Sequence, residues 1–200
     1  MPATTFCIAR HGETDWNIAG ILQGWIDVPI NGQGRAQALD MARAFAADGF
    51  NCVCTSPLIR SLETAQIIAA ELGLPPPQSH DGLKERNFGA VQGIPKAELA
   101  ELNPALLQQI MRRNPAAEFE QGETMDEFAE RVLGAIRDLG GQCGGKRALI
   151  ITHGWVMDVI TREVRGLPRS TVLNMKRKNG ECLRVEAGGD SIRLLHDGHP

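Results

Sequence analysis

Three short apolar runs, each stopped abruptly where glycine or proline begins a turn, restrict this chain more than anything else in it. Phe6-Cys7-Ile8-Ala9 ends at Arg10-His11-Gly12, Cys52-Val53-Cys54-Thr55 ends at Ser56-Pro57, and Ala148-Leu149-Ile150-Ile151-Thr152 ends at His153-Gly154. Unbroken apolar runs of this length read as buried strands, and the last is continuous enough for the centre of a parallel sheet, where both faces are covered. Helical periodicity fills the gaps. Residues 33–47 put Ala38, Leu39, Ala42 and Phe45 on one face. Ser56-Pro57 offers an N-cap and a first-turn proline for a helix through Leu62 and Ile67 to Leu72. Residues 123–139 align Phe128, Val132, Ala135, Ile136 and Leu139 before Gly140-Gly141, and another helix runs from His153-Gly154 to about Arg165. Residues 183–186 and 192–195 flank Gly188-Gly189 as a closing hairpin.

Strands that alternate with helices predict an α/β fold: a three-layer α/β/α sandwich with a mostly parallel central sheet, in a single domain over residues 1–200. Residues 78–122 interrupt the alternation. With a helical stretch at 95–111, they form a small excursion over one end of the sheet, where a substrate pocket is commonly shaped. In open sheets of this kind ligands bind beyond the carboxyl ends of the strands, and Arg10-His11, the segment Ser56 to Arg60, and His153 all follow such ends.

Composition narrows the function classes. With 42% hydrophobic and 22% charged residues, the chain is neither disordered nor membrane-spanning in character. A net charge of −3 argues against general nucleic-acid binding, and Arg112-Arg113 and Lys176-Arg177-Lys178 read as solvated surface. Met1 to Thr5 lacks the basic start of a signal peptide, so a cytoplasmic location and no membrane partner are expected. Of the five cysteines, Cys7, Cys52 and Cys54 sit in strand-like runs. They read as small buried hydrophobes, since Cys52-Val53-Cys54 lacks the C-x-x-C spacing of a metal or redox pair.

Four ordered motifs carry a resemblance: Arg10-His11-Gly12-Glu13-Thr14; Ser56-Pro57-Leu58-Ile59-Arg60 with Thr64-Ala65; Leu83-Lys84-Glu85-Arg86-Asn87-Phe88-Gly89; and Thr152-His153-Gly154. Together they resemble the histidine phosphatase superfamily, the phosphoglycerate-mutase-like group, in its small bacterial-type phosphatase branch. The resemblance implies that His11 accepts a phosphoryl group, with the Gly12 carbonyl fixing its tautomer. A neutral imidazole suits this role because its lone pair is available at neutral pH without an added base. Arg10, Arg60 and His153 are implied as the positive groups around phosphate, His153 protonated by the bound dianion. Guanidinium fits here because its fork binds two oxygens at once. Glu85 is implied as the proton donor, with Glu13 as a rival beside the nucleophile. Asn17, Gln23, Gly24 and Gly154 match positions that contact phosphate or substrate, and Glu123-Thr124 also matches.

The expected activity is hydrolysis of small phosphomonoesters through a phosphohistidine, with neither metal nor cofactor and no nucleic-acid partner; a homodimer is compatible with the sequence. His80, His196 and His199 show no ligand spacing with carboxylates. Two alternatives stand beside it: a cofactor-dependent phosphoglycerate mutase, and a non-catalytic binding module on the same fold. The compact excursion, Gln23 where mutases carry a hydroxyl residue, and Trp155 where they carry a small polar one favour hydrolysis. Arg112-Arg113 could still serve a carboxylate or second phosphate.

Overall fold

The computed structural model describes residues 2–189 and 191–198. Its centre is a six-stranded sheet in the order β3-β2-β4-β1-β5-β6. The parallel strands are β1 (Thr4–Arg10), β2 (Cys52–Thr55), β3 (Gln78–Ser79) and β4 (Arg147–Thr152); β5 (Cys182–Gly188) and β6 (Ser191–Gly198) close one edge as an antiparallel hairpin. The helices are α1 (Asp15–Ala19), α2 (Gly32–Phe45), α3 (Ile59–Glu71), α4 (Lys96–Leu102), α5 (Pro104–Met111), α6 (Met125–Cys143) and α7 (Gly154–Val164). No described helix is long and apolar enough to cross a membrane.

The three apolar runs lie side by side, with Ile8 opposite Ile150 and Val53 opposite Leu149. Successive side chains on a strand point to opposite faces, so each run fills two cores. Phe6, Ile8 and Ile150 pack with Phe128, Val132 and Ile136 of α6 and with Val156 and Ile160 of α7. Cys7, Ala9, Leu149 and Ile151 pack on the other side with Ala38, Ala42 and Phe45 of α2 and with Ala65 and Ile68 of α3. A strand covered on both faces has no wetted side to carry polar residues, which is why these runs show no alternation.

Several boundaries differ from expectation, each for a local reason. Helix α6 passes Gly140-Gly141 and ends at Gly144, because Leu139 and Cys143 keep the buried stripe going. That burial offsets the roughly 1 kcal/mol which a glycine costs inside a helix. Ser56 does not cap α3: the N-cap position is Leu58, without a side-chain bond, and the Ser56 hydroxyl instead meets His153 Nε2 at 2.8 Å. The stretch 95–111 is two helices. Asn103, at φ −151° and ψ 78°, separates them, since a residue before proline is pushed out of the helical region. Its side chain then caps α5 by accepting from Leu106 N at 3.0 Å. Helix α1 and strand β3 span five and two residues, too few for a periodic signal.

The excursion is pinned over the carboxyl end of β4. Thr152 Oγ1 donates to the Leu83 carbonyl at 2.8 Å, which carries Glu85, two residues on, to the strand ends.

Candidate active site

Strands β1 and β4 pair in register up to Arg10 and Thr152, and His11 N donates to the Thr152 carbonyl at 3.0 Å. The next residue on each chain is a histidine. The rings of His11 and His153 therefore lie 5.2 Å apart between centroids. In front of His11 is a cavity of about 210 Å³, lined among others by Arg10, His11, Gln23, Gly24, Arg60 and Glu85; His153 and Gly154 lie behind this lining and are not part of it.

His11 Nδ1 lies 2.7 Å from the Gly12 carbonyl. A carbonyl oxygen only accepts, so Nδ1 carries the proton and the ring's lone pair sits on Nε2. Burial is the main cause that holds the His11 pKa well below its ordinary value, with the charges of Arg60 and Arg10 adding to it. The nitrogen is thus unprotonated at neutral pH. The loop around it is fixed from several sides: Asn179 Nδ2 donates to the His11 carbonyl at 2.6 Å, and Gly12 N donates to Thr64 Oγ1 at 3.0 Å. Gly12 has to be glycine, because a Cβ there would stand 2.4 Å from the Gly34 carbonyl oxygen.

Around His11 stand cations with unused hydrogen-bonding capacity. Arg60, in the first turn of α3, donates through Nη2 to the Gly24 carbonyl at 2.7 Å and through Nη1 to the Ile26 carbonyl at 3.0 Å. Arg10 donates through Nη1 to the Arg177 carbonyl at 2.5 Å. Arg10 Nε, Arg60 Nε, Gln23 Oε1 and His153 Nδ1 are all buried without a partner among the described residues. Burial brings the pKa of each arginine down to about 10, which leaves both charged at neutral pH. Of the unpartnered atoms, Arg10 Nε and Arg60 Nε are donors, and an unpartnered buried donor costs about 1–3 kcal/mol, so the site gains when an anion enters. Burial first, then Arg60, depress the His153 pKa well below the usual range, so in the absence of an anion its ring is neutral.

Glu85 lines the same cavity. Its carboxyl accepts from Arg86 N at 3.0 Å and from Trp155 N, at the start of α7, at 3.4 Å. Those donors and the charges of Arg113 and Arg60 favour the carboxylate, but full burial outweighs them and the pKa is raised. Glu13, the rival, is turned away: Asn31 Nδ2 donates to its Oε1 at 3.1 Å, and it is not part of the lining. Asn17 lines the cavity while its Oδ1 accepts from Thr14 N in a capping box at α1. Gly154 lies at the first position of α7, where a Cβ would meet the Arg113 guanidinium at 3.1 Å. Glu123 and Thr124 serve the scaffold: Glu123 forms a two-point ion pair with Arg131, both contacts at 2.7 Å, and Thr124 caps α6.

Two basic segments expected as solvated surface contain arginines withdrawn from solvent, Arg113 half-buried and Arg177 buried. Arg112 is exposed, but Arg113 lines the cavity, pairs through Nε with Asp158 Oδ2 at 2.6 Å, and lies 5.1 Å from the Trp155 ring centre. Arg177 is 1% exposed and reaches Glu181 at 2.8 Å and Thr161 Oγ1 at 2.5 Å. Both are tolerated inside because Asp158, itself buried, lies between them. Lys96 and Lys176 also line the cavity. Lys96 had no signal in the sequence, since it begins an ordinary amphipathic helix, and Lys176 belongs to the basic run that reads as solvated surface. Burial, and after it the charges of Lys176, Arg10 and Arg113, hold the Lys96 pKa below the ordinary value.

Comparison with known proteins shows the family. The chain is 32% identical over 163 residues to "Uncharacterized phosphatase PhoE" of Bacillus subtilis, covering 82% of this chain and 78% of that protein. It is 31% identical over 183 residues to "Probable phosphoglycerate mutase GpmB" of Cronobacter sakazakii, covering 90% and 83%. The solved structure of Bacillus stearothermophilus YhfR superposes with a TM-score of 0.89 at 26% identity over 98% of each chain. The sequence profile of the histidine phosphatase superfamily (branch 1) matches residues 6–198, and the chain belongs to that family.

Proposed function

We propose that this protein is a metal-independent phosphoric monoester hydrolase that works through a phosphohistidine on His11. The observation that carries the reading is the pairing, in one cavity, of a neutral imidazole whose Nδ1 is tied to the Gly12 carbonyl at 2.7 Å with a carboxyl group, Glu85, whose pKa is raised by burial. One group is ready to attack and the other is ready to give a proton. In the first step His11 Nε2 forms the P–N bond, the P–O ester bond breaks, and Glu85 transfers its proton to the leaving oxygen. In the second, the Glu85 carboxylate takes a proton from water, the oxygen of that water attacks phosphorus, and the P–N bond breaks to return neutral His11 and inorganic phosphate. Arg10, Arg60 and His153, joined by Gln23 and Gly24 at the rim, stabilise the charge spread over the transferring oxygens. Six cationic side chains line the cavity (Arg10, Arg60, Lys96, Arg113, Lys176 and Arg177), and Glu85 is the carboxylate among them. That balance supports an anionic substrate and disfavours a divalent cation. The small volume and the cluster of Lys96, Lys176 and Arg113 support a short phosphomonoester whose leaving group carries a second negative group, such as a carboxylate.

A mutase reading rests on the same cluster and on the 31% identical relative named as a probable mutase. The two share the phosphohistidine and differ in whether water or a substrate hydroxyl collects the phosphoryl group. Purified protein incubated with p-nitrophenyl phosphate and with a panel of phosphorylated acids should release phosphate with no bisphosphorylated cofactor added. Phosphorus NMR of 2-phosphoglycerate and 3-phosphoglycerate provides the contrary result: interconversion much faster than phosphate release, stimulated by 2,3-bisphosphoglycerate, overturns hydrolysis in favour of the mutase.

A further inference from the structure

Two of the thiols expected to be inert core residues, Cys52 and Cys54, cluster with Cys143 at the end of the sheet opposite the phosphate site. Cys52 and Cys54 alternate on β2 and so face the same side, toward α6. The last residue of α6, Cys143, arrives from the other direction. Cys52 Sγ and Cys143 Sγ are 3.8 Å apart, and the three sulfurs of Cys52, Cys54 and Cys143 all lie within 4.8 Å of one another. Cys54 and Cys143 are buried, whereas Cys52 is half-buried at the open start of its strand. Rigid elements hold this geometry. Gly144 leaves α6 in a left-handed conformation at φ 35°, Lys146 N donates to the Cys143 carbonyl at 3.1 Å, and β4 begins at once beside β2.

We propose that Cys52, Cys54 and Cys143 form a three-thiolate site for a thiophilic d10 cation of the Cu(I) or Zn²⁺ kind, independent of the phosphoryl-transfer site. A metal–sulfur bond of about 2.3 Å places three thiolates around one ion about 4 Å apart, so the 3.8 Å separation of Cys52 and Cys143 already matches an occupied centre. Sulfur donors without carboxylate or imidazole select soft cations over Mg²⁺ or Ca²⁺. The carboxyl-terminal end of a 19-residue helix also favours a cation beside Cys143. The half-buried Cys52 supplies the entry path. Binding forms three metal–sulfur bonds and releases the thiol protons to solvent.

The test uses the full-length, fully reduced protein, freed of reductant under anaerobic conditions and titrated separately with Zn²⁺ and with Cu(I) against chromophoric chelators. Saturation at one ion per chain by either metal, with a thiolate-to-metal absorption band, is the expected result. Cys52→Ser and Cys143→Ser should each weaken that binding by more than about a hundredfold, because even groups behind the ligands of a metal are worth 10–100-fold. Cys182→Ser, outside the cluster, should leave it unchanged. Folding of each variant is checked by its retained turnover of p-nitrophenyl phosphate. Three results each overturn the proposal: no stoichiometric uptake of either ion, uptake that persists in both cluster variants, or formation of a Cys52–Cys143 disulfide in place of metal binding.

Discussion

Glu85→Gln keeps the side chain's shape and, with its amide oxygen in the Oε1 position, the contact from Arg86 N at 3.0 Å, while it gives up the weaker acceptor for Trp155 N at 3.4 Å and removes the proton that the leaving oxygen needs. The cost should depend on the leaving group. An alkoxide is too basic to depart unprotonated, so kcat/KM for an alkyl phosphate should fall by the full worth of a general acid, on the order of 10²–10⁴-fold or about 3–5 kcal/mol. A p-nitrophenolate departs without help, and its kcat/KM should fall less than about tenfold. This parameter is the right one to follow, since it reports steps up to the first irreversible one and excludes the later attack of water. Stability should move the other way. A carboxyl whose folded pKa is raised stabilises the protein while protonated, and that contribution is lost as pH rises through the folded value. Glutamine never ionises, so the variant's Tm should equal or exceed that of the wild type at about pH 8, with the difference shrinking toward about pH 4. Equal losses of kcat/KM on alkyl and aryl substrates would refute the proton-donor role, as would a variant that loses stability with rising pH.

Other expectations follow from the same geometry. Activity should survive exhaustive chelation, because the charged guanidinium groups of Arg10 and Arg60 supply the positive charge, and vanadate should inhibit competitively; loss on chelation that one divalent ion restores would count against the site as described. His11 and His153 are buried with depressed pKa values, so they favour the fold above the ordinary histidine pKa. Acidification below about pH 6.5 should erode stability by up to about 1.4 kcal/mol per pH unit for each, readable as a falling urea midpoint that His153→Gln makes shallower. Gly12→Ala places a methyl 2.4 Å from a backbone oxygen of Gly34; turnover should fall by at least about tenfold together with Tm, and an unchanged variant would show that the two loops separate easily.

The strands and the ends at which chemistry collects were readable because burial on both faces leaves an unbroken apolar signature, and because Arg10-His11, Arg60 and His153 follow those ends directly. Helix boundaries were less legible where a stronger demand overrode a local signal. Ser56 looks like a cap, but its hydroxyl is engaged by His153, and Gly140-Gly141 looks like a stop, but Cys143 still has a core to enter. The cationic lining was the hardest part to see. Lys96, Arg113, Lys176 and Arg177 come from segments far apart in sequence, and a buried arginine paired with Asp158 has the same composition as one in water. The thiol cluster escaped for a similar reason: Cys52 and Cys54 are neighbours on a strand, but Cys143 joins them only through the packing of α6 on the sheet.

The central claim is that phosphorus passes through the ring nitrogen of His11, and a direct measurement is available. Protein mixed for milliseconds with a radiolabelled phosphomonoester, quenched in alkali to preserve phosphohistidine and digested, should carry its label on the peptide containing His11, with labelling and turnover both abolished in His11→Ala. Label on the peptide containing His153, or turnover that continues with no labelled peptide, would contradict the account.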